Sequence, residues 1–175
     1  MQVVAYCEEK ATRNNVEQIT EGIRHFSLQD ALPTGYKLAL NMELGTLSYL
    51  SIGNEGPQLV AQQQFTASEM SILLPLLDSY PYYCPYEVLY ASFYNGSVND
   101  IVVARCRQRL QMAQDIGTWD QEMRPVRNVL SRTRLKLRTF GLTVSSILET
   151  GCILRGTPTT PSVQSTRQAT IHGKS

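Results

Sequence analysis

The chain has 175 residues, 42% of them hydrophobic, which is enough for one well-formed core. Sixteen Lys and Arg residues nearly balance 15 Asp and Glu residues, so the net charge is +1. There is no apolar run of membrane-span length and no basic, apolar start of the signal-peptide type, so we expect neither a membrane protein nor a secreted one. The scattered cysteines and the two isolated histidines indicate a reducing cytoplasm and predict no metal site: Cys7, Cys84, Cys106, Cys152, His25 and His172.

Residues 1–35 are predicted to form an N-terminal helical extension. Apolar residues in the segment 14–26 recur at helical spacing, with Asn14 or Asn15 as an N-cap. We interpret this helix as an amphipathic cover for the core; the alternative is a helix dedicated to a partner. A Pro-Thr-Gly turn ends the segment. The apolar face would contain Val16, Ile19, Ile23 and Phe26.

Three short strands are predicted next, over Tyr36–Met42, Thr46–Ile52 and Gln58–Gln62. Turn residues at Gly45 and in the segment 53–57 separate them. Such close spacing is typical of an antiparallel sheet.

A series of helices follows the strands. The sequence Thr66-Ala67-Ser68-Glu69 is a capping box that predicts a helix start, and Pro75 lies inside this helix. A second helix is expected from about Pro85 to Tyr94 and a third from about Asp100 to Gln114. Residues 116–123 are interpreted as a loop that Trp119 anchors. In the third helix, Arg105 and Arg109 either extend a phosphate contact or pair with local acids.

The segment 124–138 carries the strongest functional signal in the sequence. Six of its fifteen residues are basic and none is acidic. With Pro125 in its first turn, it predicts a helix over 125–138 that has one buried stripe and one cationic, acid-free face. That shape favours binding in a nucleic-acid groove; the alternative is an ordinary solvated face. The buried stripe would contain Val126, Val129, Leu130, Thr133 and Leu137.

Positive charge is concentrated in this part of the chain. Residues 1–123 contain 7 basic and 14 acidic residues, a net charge of −7, whereas residues 124–155 contain 7 basic residues and only Glu149 as an acid. This asymmetry predicts a localised electrostatic contact with a polyanion. Two strands, Leu142–Ile147 and Cys152–Arg155, follow around a turn, and the polar tail 156–175 is predicted to be disordered.

Together these motifs resemble the winged-helix effector domain of OmpR/PhoB-type transcription regulators over about residues 36–155. Phe65-Thr66-Ala67-Ser68-Glu69 is similar to the motif that opens the family's first helix. The family's recognition-helix pattern is matched by Val126, Leu130, Ser131, Arg132, Arg134, Lys136 and Leu137. Its wing pattern is matched by Phe140-Gly141-Leu142 and Gly151-Cys152-Ile153-Leu154.

The resemblance implies an α+β fold, a winged helix-turn-helix with an N-terminal antiparallel sheet, a three-helix core and a C-terminal β-hairpin wing. The domain would span residues 36–155, with residues 97–123 as a helical insert. Since 35 residues precede it, we expect an effector domain alone, without the receiver domain that usually precedes such effectors in the family. Leu148 stands where the family often has a minor-groove arginine, and Cys152 stands where it has an aromatic residue.

The resemblance also implies a function: a cytoplasmic, sequence-specific regulator of transcription that binds double-stranded DNA through helix 125–138 and is nucleoid-associated when bound. Arg132 is expected to contact a base edge, and Asn128 is a second candidate. Homodimers, and contacts of 97–123 with RNA polymerase or another regulator, are further expected partners. The remaining DNA-binding candidates, mostly for phosphates, are Arg124, Arg127, Ser131, Arg134, Lys136, Ser146 and Thr150.

The sequence leaves two alternative functions. A winged helix that binds proteins rather than DNA is favoured by the acidic first 123 residues. An enzyme is not expected, because the sequence contains no Ser-His-Asp set, no metal-ligand spacing and no phosphate-binding loop, and no cofactor is expected either.

Overall fold

A computed structural model describes residues 16–20 and 22–157 of the chain. This part has a mixed α+β fold with four α-helices and two antiparallel sheets. The strands of the first sheet are β1 (Val16–Thr20), β2 (Ile23–Phe26), β3 (Tyr36–Asn41), β4 (Thr46–Gly53) and β5 (Gly56–Gln64). The helices are α1 (Ala67–Ser79), α2 (Tyr86–Asn95), α3 (Asp100–Asp115) and α4 (Trp119–Leu137). The strands of the second sheet are β6 (Tyr83–Pro85), β7 (Leu142–Ile147) and β8 (Gly151–Gly156).

The helix predicted over residues 14–26 is wrong, because the segment forms the hairpin β1–β2. Gly22 lies between these strands with a φ of +79°, a left-handed conformation that interrupts a helix and suits a tight turn. Strand β2 then pairs with β3, so residues of the predicted extension belong to the same sheet as the strands that follow. Asn14 and Asn15, the predicted caps, lie outside the described residues.

The first sheet has the order β1-β2-β3-β4-β5, and the three strands predicted between residues 36 and 62 are confirmed. Strand β3 is one residue shorter than predicted, and β4 and β5 are slightly longer. Leu38, Leu40 and Leu47 are fully buried on one face of this sheet. Register supports this arrangement, since Leu40 of β3 is opposite Leu47 of β4. The sheet therefore supplies one wall of the core.

The helix start predicted at Thr66 is confirmed. The Thr66 hydroxyl accepts a hydrogen bond from Glu69 N, and the Glu69 carboxylate accepts one from Thr66 N. Helices α2 and α3 are confirmed within one or two residues of their predicted bounds, and Gly96 ends α2 in the left-handed conformation.

Helix α4 begins at Trp119, so the prediction of a loop over 116–123 is wrong for its second half, and Pro125 is not in the first turn. The physical reason is that the buried stripe starts earlier than expected. Met123 is fully buried, three residues before the buried Val126, and so extends the stripe toward the N-terminus. The predicted insert 97–123 therefore contains α3 and the first residues of α4.

The second sheet has the order β6-β8-β7, and its hairpin β7–β8 is confirmed. Strand β6, which the sequence did not predict, pairs with β8. The contact between them is close, because a Cβ atom on Gly151 would lie 2.1 Å from the carbonyl oxygen of Cys84. Gly156 ends β8, so the predicted disordered tail does not begin there; residues 158–175 lie outside the described part.

Buried residues from both sheets and all four helices form one hydrophobic core. Phe26, Leu73, Leu130 and Phe140 are examples from the first sheet, α1, α4 and the 3₁₀ turn after it (Arg138–Phe140). The core fixes the rotation of α4 about its axis and thus decides which of its side chains face outward. In the segments described, no helix has the length and apolarity needed to cross a membrane.

Candidate nucleic-acid interface

One side of α4 is packed into the core and the opposite side is exposed. The exposed residues recur at steps of three and four, which places them along one line of the helix surface. We call this line the outer ridge; it continues into the 3₁₀ turn. The outer ridge consists of Arg124, Asn128, Ser131, Leu135 and Arg138.

Lys136, a predicted phosphate contact, lies on the flank of α4 that faces α1. Its Nζ donates to Glu69 Oε2 at 2.6 Å and to the carbonyl oxygen of Gln64 at 2.8 Å. The same ammonium group lies 5.3 Å from the centroid of the Phe65 ring. Three neighbours thus hold Lys136 against the protein, and its charge is largely neutralised.

The expectation that the cationic face is acid-free is therefore wrong in the folded chain, because Glu69 comes from α1. Its side chain is only 3% exposed. Burial alone would raise the pKa of the carboxyl group. The hydrogen bonds from Lys136 and Thr66 outweigh burial, so that the pKa of Glu69 is lowered and the group is ionised at neutral pH.

Arg132, the predicted base contact, lies nearer the outer ridge than Lys136 does. Its Nε is 3.8 Å from Glu69 Oε1, too long for a hydrogen bond. The side chain remains 59% exposed. The Glu69 carboxylate therefore attracts the guanidinium group without forming a hydrogen bond to it. The guanidinium group can still extend outward.

On the other flank, Arg127 donates to the Asp120 carboxylate at 2.8 Å. Both side chains are more than half exposed, so this ion pair is screened by solvent and is weak. Ser131 donates its hydroxyl to the carbonyl oxygen of Arg127 at 3.0 Å. Asn128 between them is exposed and is free to meet a partner.

Arg134 links α4 to the β7–β8 hairpin. One of its terminal nitrogens donates to the hydroxyl of Ser146 on β7. Its Nε is buried and has no hydrogen-bond partner. Ser146 lies against the thiol of Cys152, whose pKa is raised mainly by burial, although Arg134 acts in the opposite direction. Arg134 and Ser146 thus fix the position of the hairpin relative to α4.

The turn of the hairpin contains the last predicted contact, Thr150. Its hydroxyl donates to the carbonyl oxygen of Leu148 at 3.0 Å, and its own carbonyl accepts from Tyr86 N at 3.1 Å. Thr150 is exposed but serves the turn and its connection to α2. These hydrogen bonds join Thr150 to Leu148 and Tyr86, and neither residue belongs to the outer ridge.

An open groove of about 630 Å³ lies between α4, the hairpin turn and the α3–α4 connection. It brings together four of the predicted residues, Arg127, Ser131, Arg134 and Ser146. Lys136 and Arg132 lie on the opposite flank. The walls of the groove also include Tyr86, Trp119, Leu130 and Leu148.

Helix α3 lies beside this surface and differs from α4 in character. Its basic residues are partly paired: Arg109 with Glu122, and Arg107 with Glu87. Arg105 is exposed. Three large apolar side chains of α3 and its C-cap are more than 60% exposed: Ile101, Met112 and Ile116.

Sequence reasoning missed three residues of this surface. Asp120 is seven residues before Arg127 and would have been found had α4 been extended to its true start. Leu135 is not predicted as a surface contact, because it is neither one of the basic residues of the segment nor a member of the buried stripe. Glu69 is 67 residues from Lys136, so no local pattern predicts that they meet.

Comparison of this chain with known protein families, with curated proteins and with solved structures found no match. Among the residues that the structure describes, no group of three or more His, Cys, Asp or Glu side chains is placed to hold a metal ion.

Proposed function

We propose that this protein is a sequence-specific regulator of transcription that binds double-stranded DNA by placing the outer ridge of α4 in the major groove. The observation that carries the proposal is the composition of that ridge. Arg124 and Arg138, one near each end, are exposed and have no acidic partner among the described residues. Asn128 between them has the amide that pairs with adenine, and an α-helix matches the width of the groove.

The proposed fold is a winged helix-turn-helix. The order of the first sheet, α1, β6, α2, α4 and the β7–β8 hairpin supports it, with α3 as an additional helix before α4. The contact between Arg134 and Ser146 supports it further, because it holds the hairpin beside the proposed recognition helix. Helix and hairpin would then face the same stretch of duplex.

The contacts on α4 suggest a division of roles within the predicted set. Arg132 and Asn128 remain the candidates for base contacts. Arg124, Arg127 and Ser131 are candidates for phosphate contacts, since the ion pair of Arg127 with Asp120 is weak and easily exchanged. The remaining residues serve mainly to build the surface: Arg134, Lys136, Ser146 and Thr150.

The test is selection of genomic DNA fragments by the purified full chain at moderate salt, followed by binding measurements on the enriched sequence. We expect one enriched sequence, and a palindrome or direct repeat would indicate a homodimer. Enrichment of no sequence, together with binding that does not change between 50 and 200 mM salt, would contradict the proposal, because phosphate contacts make DNA affinity strongly salt-dependent.

A protein-binding module is the second candidate, and the exposed apolar side chains of α3 favour it. Ile101 is 68% exposed and Met112 is 61% exposed, on a helix that contributes to the core through Cys106 and Leu110. RNA polymerase or another regulator would be the expected partner. The double variant Ile101→Ser, Met112→Ser should leave DNA binding intact if DNA is the ligand of α4.

A further inference from the structure

Leu135 occupies the outer ridge without contributing to the core. It is 61% exposed and lies one helical turn beyond Ser131 and two turns beyond Asn128. Its neighbours in sequence turn away from it, Arg134 toward Ser146 and Lys136 toward Glu69. The outer ridge is therefore apolar at Leu135, although the surrounding segment is cationic.

Packing does not account for Leu135. The core side of this part of α4 is filled by Thr133 and Leu137, both fully buried. A leucine on the opposite side gains nothing from that core, and a single exposed leucine is ordinary on any protein surface. What distinguishes Leu135 is its position in line with Asn128 and between the cations of the ridge.

The major groove has one apolar feature that distinguishes bases, the 5-methyl group of thymine. We propose that Leu135 is a specificity-determining residue that packs its methyl groups against the 5-methyl group of a thymine. This inference rests on the proposed DNA-binding function. Leu135 lies about 10 Å along the helix axis from Asn128. With base pairs about 3.4 Å apart, the thymine should lie within about three base pairs of the base that Asn128 contacts.

The experiment replaces each thymine of the selected DNA site, one at a time, by uracil. Uracil keeps every hydrogen-bonding group of thymine and lacks only the methyl group, so it isolates the apolar contact. We expect one thymine whose replacement weakens binding of the full-length wild-type protein about fourfold, the effect of losing one buried methyl-sized group. Leu135→Ala should bind the thymine and uracil forms of that position equally.

Leu44→Ala is the matched control, because Leu44 is a leucine of similar exposure, 64%, in the β3–β4 turn. This variant should keep the fourfold preference for thymine. Melting temperatures of both variants should equal that of the wild type, since neither side chain is buried.

The outcomes separate this inference from the function on which it rests. If the wild type selects a DNA sequence but tolerates uracil at every position, the thymine contact is overturned and the proposed function stands. A uracil effect that Leu135→Ala retains overturns the assignment to Leu135. If the wild type selects no sequence, the proposed function itself fails.

Discussion

On the flank of α4 that faces α1, Lys136 is held by a buried carboxylate, a backbone carbonyl and an aromatic ring. On the outer ridge of the same helix, Arg124 and Arg138 are exposed and have no acidic partner in the described part of the chain. All three residues belong to one basic, acid-free segment of the sequence. Sequence composition alone gives them the same role, whereas the fold assigns them different ones.

The difference follows from the direction in which each side chain leaves the helix. The buried stripe of α4 fixes its rotation, and this rotation turns Lys136 toward Glu69 and turns the outer ridge toward solvent. A cation beside a buried carboxylate stabilises the fold, because an ionised carboxylate is costly to bury without a partner. A cation on the ridge contributes little to stability, and under the proposed function it keeps its charge for the DNA. Substitutions on the flank and on the ridge should therefore have different effects.

Lys136→Ala should have the largest effect, and the effect should be on stability. The substitution leaves the buried Glu69 carboxylate without its ammonium partner. The expected loss is about 3 kcal/mol of unfolding free energy, the lower end of the range for a broken buried pair because Lys136 is itself 31% exposed. Urea denaturation measures it. Arg138→Ala, a neighbouring cation on the ridge, should change stability by no more than about 0.5 kcal/mol. Equal losses of unfolding free energy in the two variants would contradict the distinction between the flank and the outer ridge.

Glu69→Gln should cost about 1.5–3 kcal/mol at neutral pH, because it replaces an ion pair between Lys136 and a carboxylate by a hydrogen bond from the ammonium group to a neutral amide oxygen, while keeping the shape of the capping box. The pKa of Glu69 is lowered in the folded chain, since the bonds from Lys136 and Thr66 outweigh its burial. The ionised carboxylate therefore adds stability above the unfolded pKa of about 4.3, and this stability is lost as the pH falls through the folded pKa.

The measurement is the difference in unfolding free energy between the wild type and Glu69→Gln as a function of pH. It should be constant from pH 7 to about pH 5 and should shrink as the pH falls below about 4.3. Glu43→Gln, the same substitution at an exposed turn position, is the matched control. A constant difference down to pH 2 would mean that the charge of Glu69 is not what stabilises the pair.

Arg132→Ala tests the residue that lies between the flank and the ridge. If its guanidinium contacts a guanine, the substitution should cost about 1–3 kcal/mol of DNA-binding free energy and should relax specificity at one base pair. Competition binding with all four bases at each position measures this. Since Arg132 Nε is 3.8 Å from Glu69, stability should change far less than it does in Lys136→Ala. Unchanged affinity for the selected site would remove Arg132 from the base contacts.

Much of the fold could be predicted because its signals are local. The capping box at Thr66, the turn at Gly96 and the buried stripe of α4 each depend on residues within a few positions of one another. The N-terminal hairpin was misjudged because Val16, Ile19, Ile23 and Phe26 match helical spacing, while the turn at Gly22 decides between the two structures. The predicted start of α4 is wrong because Pro125, which suits a first helical turn, indicates a later start than Trp119.

The candidate site was less predictable than the fold, because its organisation depends on long-range contacts. Two side-chain pairs join different elements of the fold: Lys136 with Glu69, and Arg134 with Ser146. In neither pair does a sequence pattern around one residue predict its partner. Sequence composition shows that α4 is the helix with a basic, acid-free segment. It could not assign roles within that helix, since rotation about the axis is fixed by the whole core.

Arg124→Ala should have the smallest effect, and it completes the comparison with Lys136. Arg124 lies on the ridge with no partner among the described residues, so its removal should leave the melting temperature unchanged. If it neutralises one DNA phosphate, the slope of log K against log salt should become less steep by about 0.9, equally on specific and random DNA. Lys136→Ala, measured below its unfolding range, should keep the wild-type slope because its charge is already neutralised by Glu69. The opposite result, a changed slope for Lys136→Ala and none for Arg124→Ala, would place the DNA on the flank of α4 and not on its ridge.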